Sequence, residues 1–383
     1  MNESVRNPSE RHYPALDGLR GVAALMIVWY HYLLIVPMHG RVLSLFSQVF
    51  GFGWAGVDLF FGLSGFLITG ILIDSKNKPH YFRTFYSRRV LRIFPLYYGY
   101  IAIVFYLLPF IGVVTNVPSS SRIFFWTYTS NFYFQSKGWV DSDILRHFWT
   151  LAIEEQFYLV WPLIIFLVKN MEYLRQGFLW AFISVALVRF FLFFENVDFN
   201  TLQLNTLTHC DALIFGGYLA LSIRSKNLEA LKWIEPHWIV AALTVMVTLF
   251  LADFGSFVPC SDAIPEIAFG RSVLMFSFLS LIIVWLIDAV TNQSHGYFFR
   301  FFSHPILRWI GKYSYSLYVL HVPFALLILR SHPSWLSSVP ISSEIELFFI
   351  YFVCSILSAF LSWHLFEKHF LKLKRFFQYS QAA

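Results

Sequence analysis

Apolar residues run along this chain in blocks joined by short polar connections. Ten blocks stand out, covering 15–36, 55–74, 94–113, 147–168, 177–194, 209–223, 237–253, 271–288, 313–330 and 345–366. Each holds about 15 to 22 residues, against the ~20 that a helix needs to cross a bilayer. In lipid the backbone must satisfy its own hydrogen bonds, so such blocks predict helices. The sixth block is the shortest. The stretch 122–134 (RIFFWTYTSNFYF) is aromatic but too short to span, and reads as an interfacial segment. The expected fold is an all-α polytopic membrane bundle of about ten transmembrane helices. It forms one membrane domain over 13–370, between polar and mobile tails at 1–12 and 371–383.

Composition agrees with the pattern. Of 383 residues 57% are hydrophobic and 13% charged, with mean hydropathy +0.60, where soluble domains carry about 25% charged residues. This excludes a string of soluble domains. The net charge of +6 could suggest nucleic acid, but the basic residues lie in short loops beside the apolar blocks. With the N-terminus inside, 21 of the 28 Lys and Arg residues fall on the cytoplasmic side and 6 outside, alternating loop by loop. Both termini are therefore expected in the cytoplasm. The first block has no A-x-A-like cleavage site and carries a charged pair, so it is expected to stay in the mature protein. The three cysteines form no disulfide framework and show no zinc spacing. Cys354 lies in an apolar block, whereas Cys210 and Cys260 could both face outward and pair. No metal site is expected. No internal repeat or low-complexity segment is evident, and the stretch after the tenth block is too short for an attached soluble domain.

The candidate chemistry lies in charges placed where a bilayer makes them expensive. In ALDGLRGVAALMIVWYHY (15–32), Arg20 and His31 are 11 residues apart, ~16 Å along a helix and about 20° around it. Asp17 shares that face. Arg20 then lies near the cytoplasmic surface and His31 near the outer one. Asp17 can pair with Arg20 at i, i+3, which would make the pair a simple anchor. Asp58 enters the second block at a depth similar to His31, and Gly62, Ser64 and Gly65 form a small-residue face for helix packing. Arg88, Arg89 and Arg92 stand at the cytoplasmic mouth of the third block, with Pro95 in its first turn. They form either a positive-inside cluster or an anion clamp for a phosphorylated cytoplasmic ligand. The fourth block contains adjacent Glu154 and Glu155, which point about 100° apart on a helix. Glu154 shares a face with Tyr158, Trp161 and His147, at a depth comparable to His31. A histidine and a carboxylate at matched depth suggest a general base with an orienting partner, and a proton relay in a transporter would look the same locally. His209, Asp211, His321 and Glu367 read as structural groups.

Taken together these segments resemble the acyltransferase-3 family of integral membrane O-acyltransferases. LDGLRG with Arg20 and His31 resembles its opening Arg-x10-His pattern, and DLFFGLSGFLI (58–68) its second signature. RRVLRIFPLYY (88–98) resembles its basic cytoplasmic loop and FWTLAIEEQFYLVWP (148–162) its Trp-Leu-Glu-Phe-Tyr signature. YSYSLYVLH (313–321) and FEKHF (366–370) resemble its C-terminal elements. The likeness runs from about 12 to 370. It departs at His209-Cys210-Asp211, onto which no role is carried. The resemblance implies ten helices in a bacterial cytoplasmic membrane. It also implies transfer of an acyl group, by default acetyl, from cytoplasmic acyl-CoA to a hydroxyl of a carbohydrate, glycolipid or small-molecule acceptor. Some members carry a fused SGNH-type domain, which is not expected here. On that expectation His31 is the base or a transient acyl carrier near the outer face, oriented by Glu154 or by Asp58. Arg88, Arg89 and Arg92 hold the CoA phosphates, and Arg20 guides the pantetheine arm. The competing class is a proton-coupled transporter or exporter of an acylated or anionic solute. It would need alternating access, and no paired broken helices or repeat halves are seen.

Overall fold

The computed structural model describes residues 13–35, 51–139 apart from 114 and 116, 143–225, 269–292, 296–331 and 341–379. The expected seventh span (237–253), Cys260 and the 1–12 tail lie outside the described residues. Among the described residues there is no β-strand, and nine helices have 14 residues or more. They are α1 (Pro14–Ile35), α2 (Ala55–Ser75), α3 (Tyr81–Ala102), α4 (Phe148–Leu167), α5 (Met171–Phe194), α6 (Asp211–Arg224), α7 (Met275–Asn292), α8 (Ser314–Ser331) and α9 (Ile341–Ser362). Each overlaps one of the expected blocks. Six of the described helices are long and apolar enough to cross a membrane: Gly51–Ser75, Tyr81–Phe110, Phe148–Leu167, Met171–Phe194, Ser272–Thr291 and Glu346–Phe376. The chain is a polytopic, all-helical membrane protein.

Helix exposure divides by sequence. α5 presents Leu179, Trp180, Leu187 and Phe191, and α9 presents Phe349, Ile350, Val353 and Leu357, all exposed. These apolar faces lie on the outside of the bundle, as lipid-facing helices require. α6 behaves oppositely. Residues Asp211 to Ser222 are buried without interruption, because α2, α5 and α7 surround it. Its 14 residues make only ~21 Å, so it is shielded by neighbours rather than spanning as a lipid-facing rod.

Glycines set the closest crossings. A Cβ on Gly65 would stand 2.0 Å from the Leu213 carbonyl oxygen, and one on Gly216 would stand 2.2 Å from that of Gly62. α2 and α6 therefore meet backbone to backbone, as the small-residue face at Gly62 and Gly65 predicts. Ser64 of that face points elsewhere, into the site described below.

The third helix differs from expectation. It starts at Tyr81 rather than near 94, and Pro95 lies well inside it rather than in its first turn. The apolar block marks only its C-terminal part. The arginine-rich stretch belongs to the same helix, which fixes the arginines to rigid backbone. The aromatic stretch 122–134 forms two short helices, Arg122–Trp126 and Ser130–Lys137, separated at Tyr128, where φ is +53°. It packs on α3 and α4: Tyr97 and Tyr98 donate to the carbonyls of Phe125 and Trp126, and Gln156 donates to that of Tyr128.

Candidate functional site

α1, α2, α3, α4 and α8 converge on a cavity whose two parts share Arg20, Ser64, Arg89 and Arg92. The first part, about 180 Å³, is lined by Arg20, Arg88, Arg89, Arg92, Lys374 and Tyr379 with apolar residues of α2 and α3. Five basic side chains converge there, and among the described residues no acidic side chain lines it. The expected clamp residues thus occupy one wall, and Arg20 of α1 joins them from the opposite helix. Asp17 keeps its i, i+3 partner, with Arg20 Nη1 3.3 Å from its carboxylate. Arg89 also lies over the rings of Phe85 and Tyr158, at 5.8 and 5.7 Å.

Lys374 arrives by an unexpected route. After α9 the chain makes a π-helical turn at Trp363–Glu367 and continues through Lys368–Lys372 and Leu373–Phe376. It then returns to α3, where Arg88 Nη1 donates to the Phe377 carbonyl at 3.0 Å and Arg83 lies over the Phe377 ring at 5.9 Å. The segment expected to be a mobile tail is, up to residue 379, part of the cavity wall.

The second part of the cavity, about 90 Å³, extends from Arg20, Arg89 and Arg92 to Ser64, Glu154 and Tyr158, then to Thr150, Tyr315 and Tyr318. Glu154 accepts from Ser64 Oγ and from Tyr158 Oη, the latter at 2.6 Å. Thr150, Glu154 and Tyr158 recur every four residues, so one stripe of α4 faces the cavity. Thr150 and Tyr318 hydroxyls meet at 2.5 Å, and Tyr318 donates to the His147 carbonyl at 2.6 Å.

Behind that pair lie three histidines. His31 Nδ1 is 2.9 Å from the Ile27 carbonyl oxygen and 3.2 Å from His321 Nε2. The His321 ring lies 4.8 Å from that of His31, and the His147 ring lies 6.1 Å from His31 and 5.2 Å from His321. Tyr318 touches both sides of the divide. It lines the cavity, and its ring lies 5.3 Å from His147 and 5.9 Å from His321.

Two expected pairings are not made. Glu154 does not orient His31: its hydrogen bonds go to Ser64 and Tyr158, while His31 bonds to Ile27 and His321. The rotation of α4 turns Glu154 toward Ser64 of α2. Asp58 does not face His31 either. Its carboxylate meets His209 Nε2 at 2.9 Å, both groups being buried, because Asp58 lies on the α6 side of α2. His209 is held by the Gln203 carbonyl at 2.7 Å and stacks on Trp149. Asp211 is a structural partner, forming a buried ion pair with Arg189 that also engages Ser277 and the Thr208 and Val273 carbonyls. Glu367 accepts from Ser316 and Ser362.

His321, Tyr318 and Thr150 received no catalytic role from the sequence. The available signal was spacing: Tyr318 and His321 are i, i+3 on α8, and Thr150 precedes Glu154 by one turn. Among the described residues no group of three or more His, Cys, Asp or Glu side chains could hold a metal ion.

Comparisons with known proteins agree with this architecture. The family described as "Acyltransferase domain" matches residues 13–364. The peptidoglycan O-acetyltransferase OatA of Listeria monocytogenes is 30% identical over 328 residues, covering 82% of this chain and 50% of its own length. The O-acetyltransferase OatA of Staphylococcus aureus is 30% identical over 352 residues, covering 84% of this chain and 52% of its own. The chain thus spans about half the length of these relatives. No solved structure matches it. The helices and the bacterial relatives place it as an integral protein of the bacterial cell membrane, and the chain belongs to the acyltransferase-3 family.

Proposed function

We propose that this protein is a membrane O-acetyltransferase that takes the acetyl group of acetyl-CoA and delivers it to a hydroxyl of a cell-envelope carbohydrate. The observation that carries the reading is the composition of the cavity: five basic side chains and, among the described residues, no acid at one end, and Thr150 and Tyr318 at the other, with a histidine cluster behind them. Multiply phosphorylated ligands suit such an end, because guanidinium groups bind phosphate in paired hydrogen bonds. The CoA phosphates rest against Arg88, Arg89, Arg92 and Lys374, and Arg20 guides the pantetheine arm. α1 is one unbroken helix from Pro14 to Ile35, so Arg20 and His31 stand ~16 Å apart along it. An extended pantetheine arm covers about that length.

At the far end His31 acts as general base. The acceptor oxygen forms a bond to the acyl carbon and the carbon–sulfur bond breaks. The hydroxyl proton passes to His31 Nε2 and then to the departing thiolate. The positive-inside loop pattern supports an orientation with the arginine end in the cytoplasm, where acetyl-CoA is, and His31 toward the outer face, where an envelope carbohydrate is met. The names of the relatives make peptidoglycan the first acceptor to try.

The test is binding and slow hydrolysis of acetyl-CoA by purified protein in detergent, with no ion gradient. Wild type is expected to bind and turn over, Arg88→Ala/Arg92→Ala to lose binding, and His31→Ala to bind without turnover. Absence of binding in all three removes the donor and with it the transferase reading.

A further inference from the structure

Hydrogen-bond polarity fixes the protonation of two rings. A carbonyl oxygen can only accept. His321 Nδ1 lies 3.0 Å from the Leu317 carbonyl oxygen, one turn back on α8, so His321 Nδ1 carries a proton. His31 Nδ1 lies 2.9 Å from the Ile27 carbonyl oxygen, one turn back on α1, so His31 Nδ1 carries one too. The remaining contact, 3.2 Å between His31 Nδ1 and His321 Nε2, then has one polarity. The His31 N–H, shared between two acceptors, donates to the bare Nε2 of a neutral His321. The chain of donation runs from His31 to His321 to the Leu317 backbone. It leaves the lone pair of the His31 pair on Nε2, for which no hydrogen-bond partner occurs among the described residues.

We propose that His321 is the positioning residue of the transfer reaction: it holds His31 as the Nδ1–H tautomer, so that Nε2 is the atom that takes the acceptor proton. This rests on the reading of His31 as the base. A carboxylate usually fills such a place beside a catalytic histidine. Here both acidic candidates are engaged elsewhere, Glu154 with Ser64 and Tyr158 and Asp58 with His209. A neutral imidazole can do the same work. Once His31 gains its second proton, its Nδ1–H becomes a cationic donor and the hydrogen bond to His321 strengthens. The arrangement is held by packing: Tyr318 anchors the α8 turn through its bond to the His147 carbonyl, and the His147 ring closes the third side of the cluster.

The experiment compares His321→Leu, which cannot accept, with His321→Gln, whose amide oxygen can reach the position of the imidazole Nε2. Acetyl-CoA affinity and turnover are measured separately on detergent-purified protein, beside His31→Ala. The expected result is a roughly 100-fold lower kcat for His321→Leu, an unchanged Kd for acetyl-CoA, and recovery to within about tenfold of wild type in His321→Gln. Wild-type turnover in His321→Leu, or equal losses in Leu and Gln variants that still bind donor, overturns the proposal. Should the Leu variant fail to fold, ¹⁵N-histidine spectra of the wild-type protein decide the matter: Nδ1–H on His31 supports the assignment and Nε2–H overturns it. If His31→Ala keeps its turnover, the base itself is lost and this inference goes with it. If His31→Ala is inactive and His321→Leu is not, only the role of His321 falls.

Discussion

Asp58 and His209 form a buried pair between α2 and the entrance to α6, with His209 Nε2 2.9 Å from the carboxylate. The other ring nitrogen faces the Gln203 carbonyl at 2.7 Å. Both nitrogens therefore point at acceptors. Removing the carboxylate leaves His209 without its partner inside the bundle. Asp58→Ala is expected to lower unfolding stability by roughly 3–5 kcal/mol, and Asp58→Asn by less. Thermal unfolding in detergent reads both. Because Asp58 does not line the cavity, the Asn variant should bind acetyl-CoA like wild type.

The Arg189–Asp211 pair makes a related prediction with a different remedy. Both side chains are at most 1% exposed, and Arg189 also donates to Ser277 and to two carbonyls. Arg189→Met strands the Asp211 carboxylate and should cost about 3–5 kcal/mol. Arg189→Met/Asp211→Leu removes both charges and should recover most of the loss. A double variant no better than the single one would show that the carbonyl contacts, rather than the charge pair, hold the region together.

Helix crossing can be tested by adding one methyl group. Gly65→Ala places its Cβ 2.0 Å from the Leu213 carbonyl oxygen, and that backbone cannot move aside without shifting α6. A loss of at least about 1–3 kcal/mol is expected. Gly177 of α5 is the control, since nothing lies within 4 Å of its added Cβ. Gly177→Ala should leave stability unchanged or raise it by up to ~1 kcal/mol. Size-exclusion profiles after heating would separate the two.

Tyr318→Phe removes one hydroxyl that bonds to Thr150 and to the His147 carbonyl. The ring still fills its place, so donor affinity should hold. The loosened turn of α8 carries His321, and the His147 carbonyl keeps only the longer bonds from Thr150, Oγ1 at 3.2 Å and the backbone N–H at 3.4 Å. Turnover is therefore expected to fall roughly tenfold. A fall in acetyl-CoA affinity instead would place the hydroxyl in donor binding.

Much of the bundle could be read from the sequence because apolar block length is a local property. The blocks around α1, α2, α4 and α7 lie within a few residues of the helices. The start of α3 was missed because its first turns are amphipathic rather than apolar, which hides a helix from a hydropathy criterion. The arginine cluster was legible for the same local reason: Arg88 and Arg92 are one turn apart, and Arg20 lies on a face fixed by its own helix. Partner choice across the bundle was not. Whether Glu154 faces His31 or Ser64 depends on the rotation of α4 against α2, and nothing within either segment encodes that angle. His31 and His321 are separated by 290 residues, so their contact exists only after α1 and α8 pack.

The segment that closes over the arginines has a practical meaning for anyone handling this protein. Arg88 grips the backbone at Phe377, and Lys374 and Tyr379 help to wall the cationic chamber. Polypeptide joined behind residue 383 therefore begins its path a few residues from that chamber. An acidic epitope or a carboxylate-rich linker placed there would act as a tethered competitor for the same cations, at millimolar effective concentration. A neutral, glycine-rich attachment would avoid that competition.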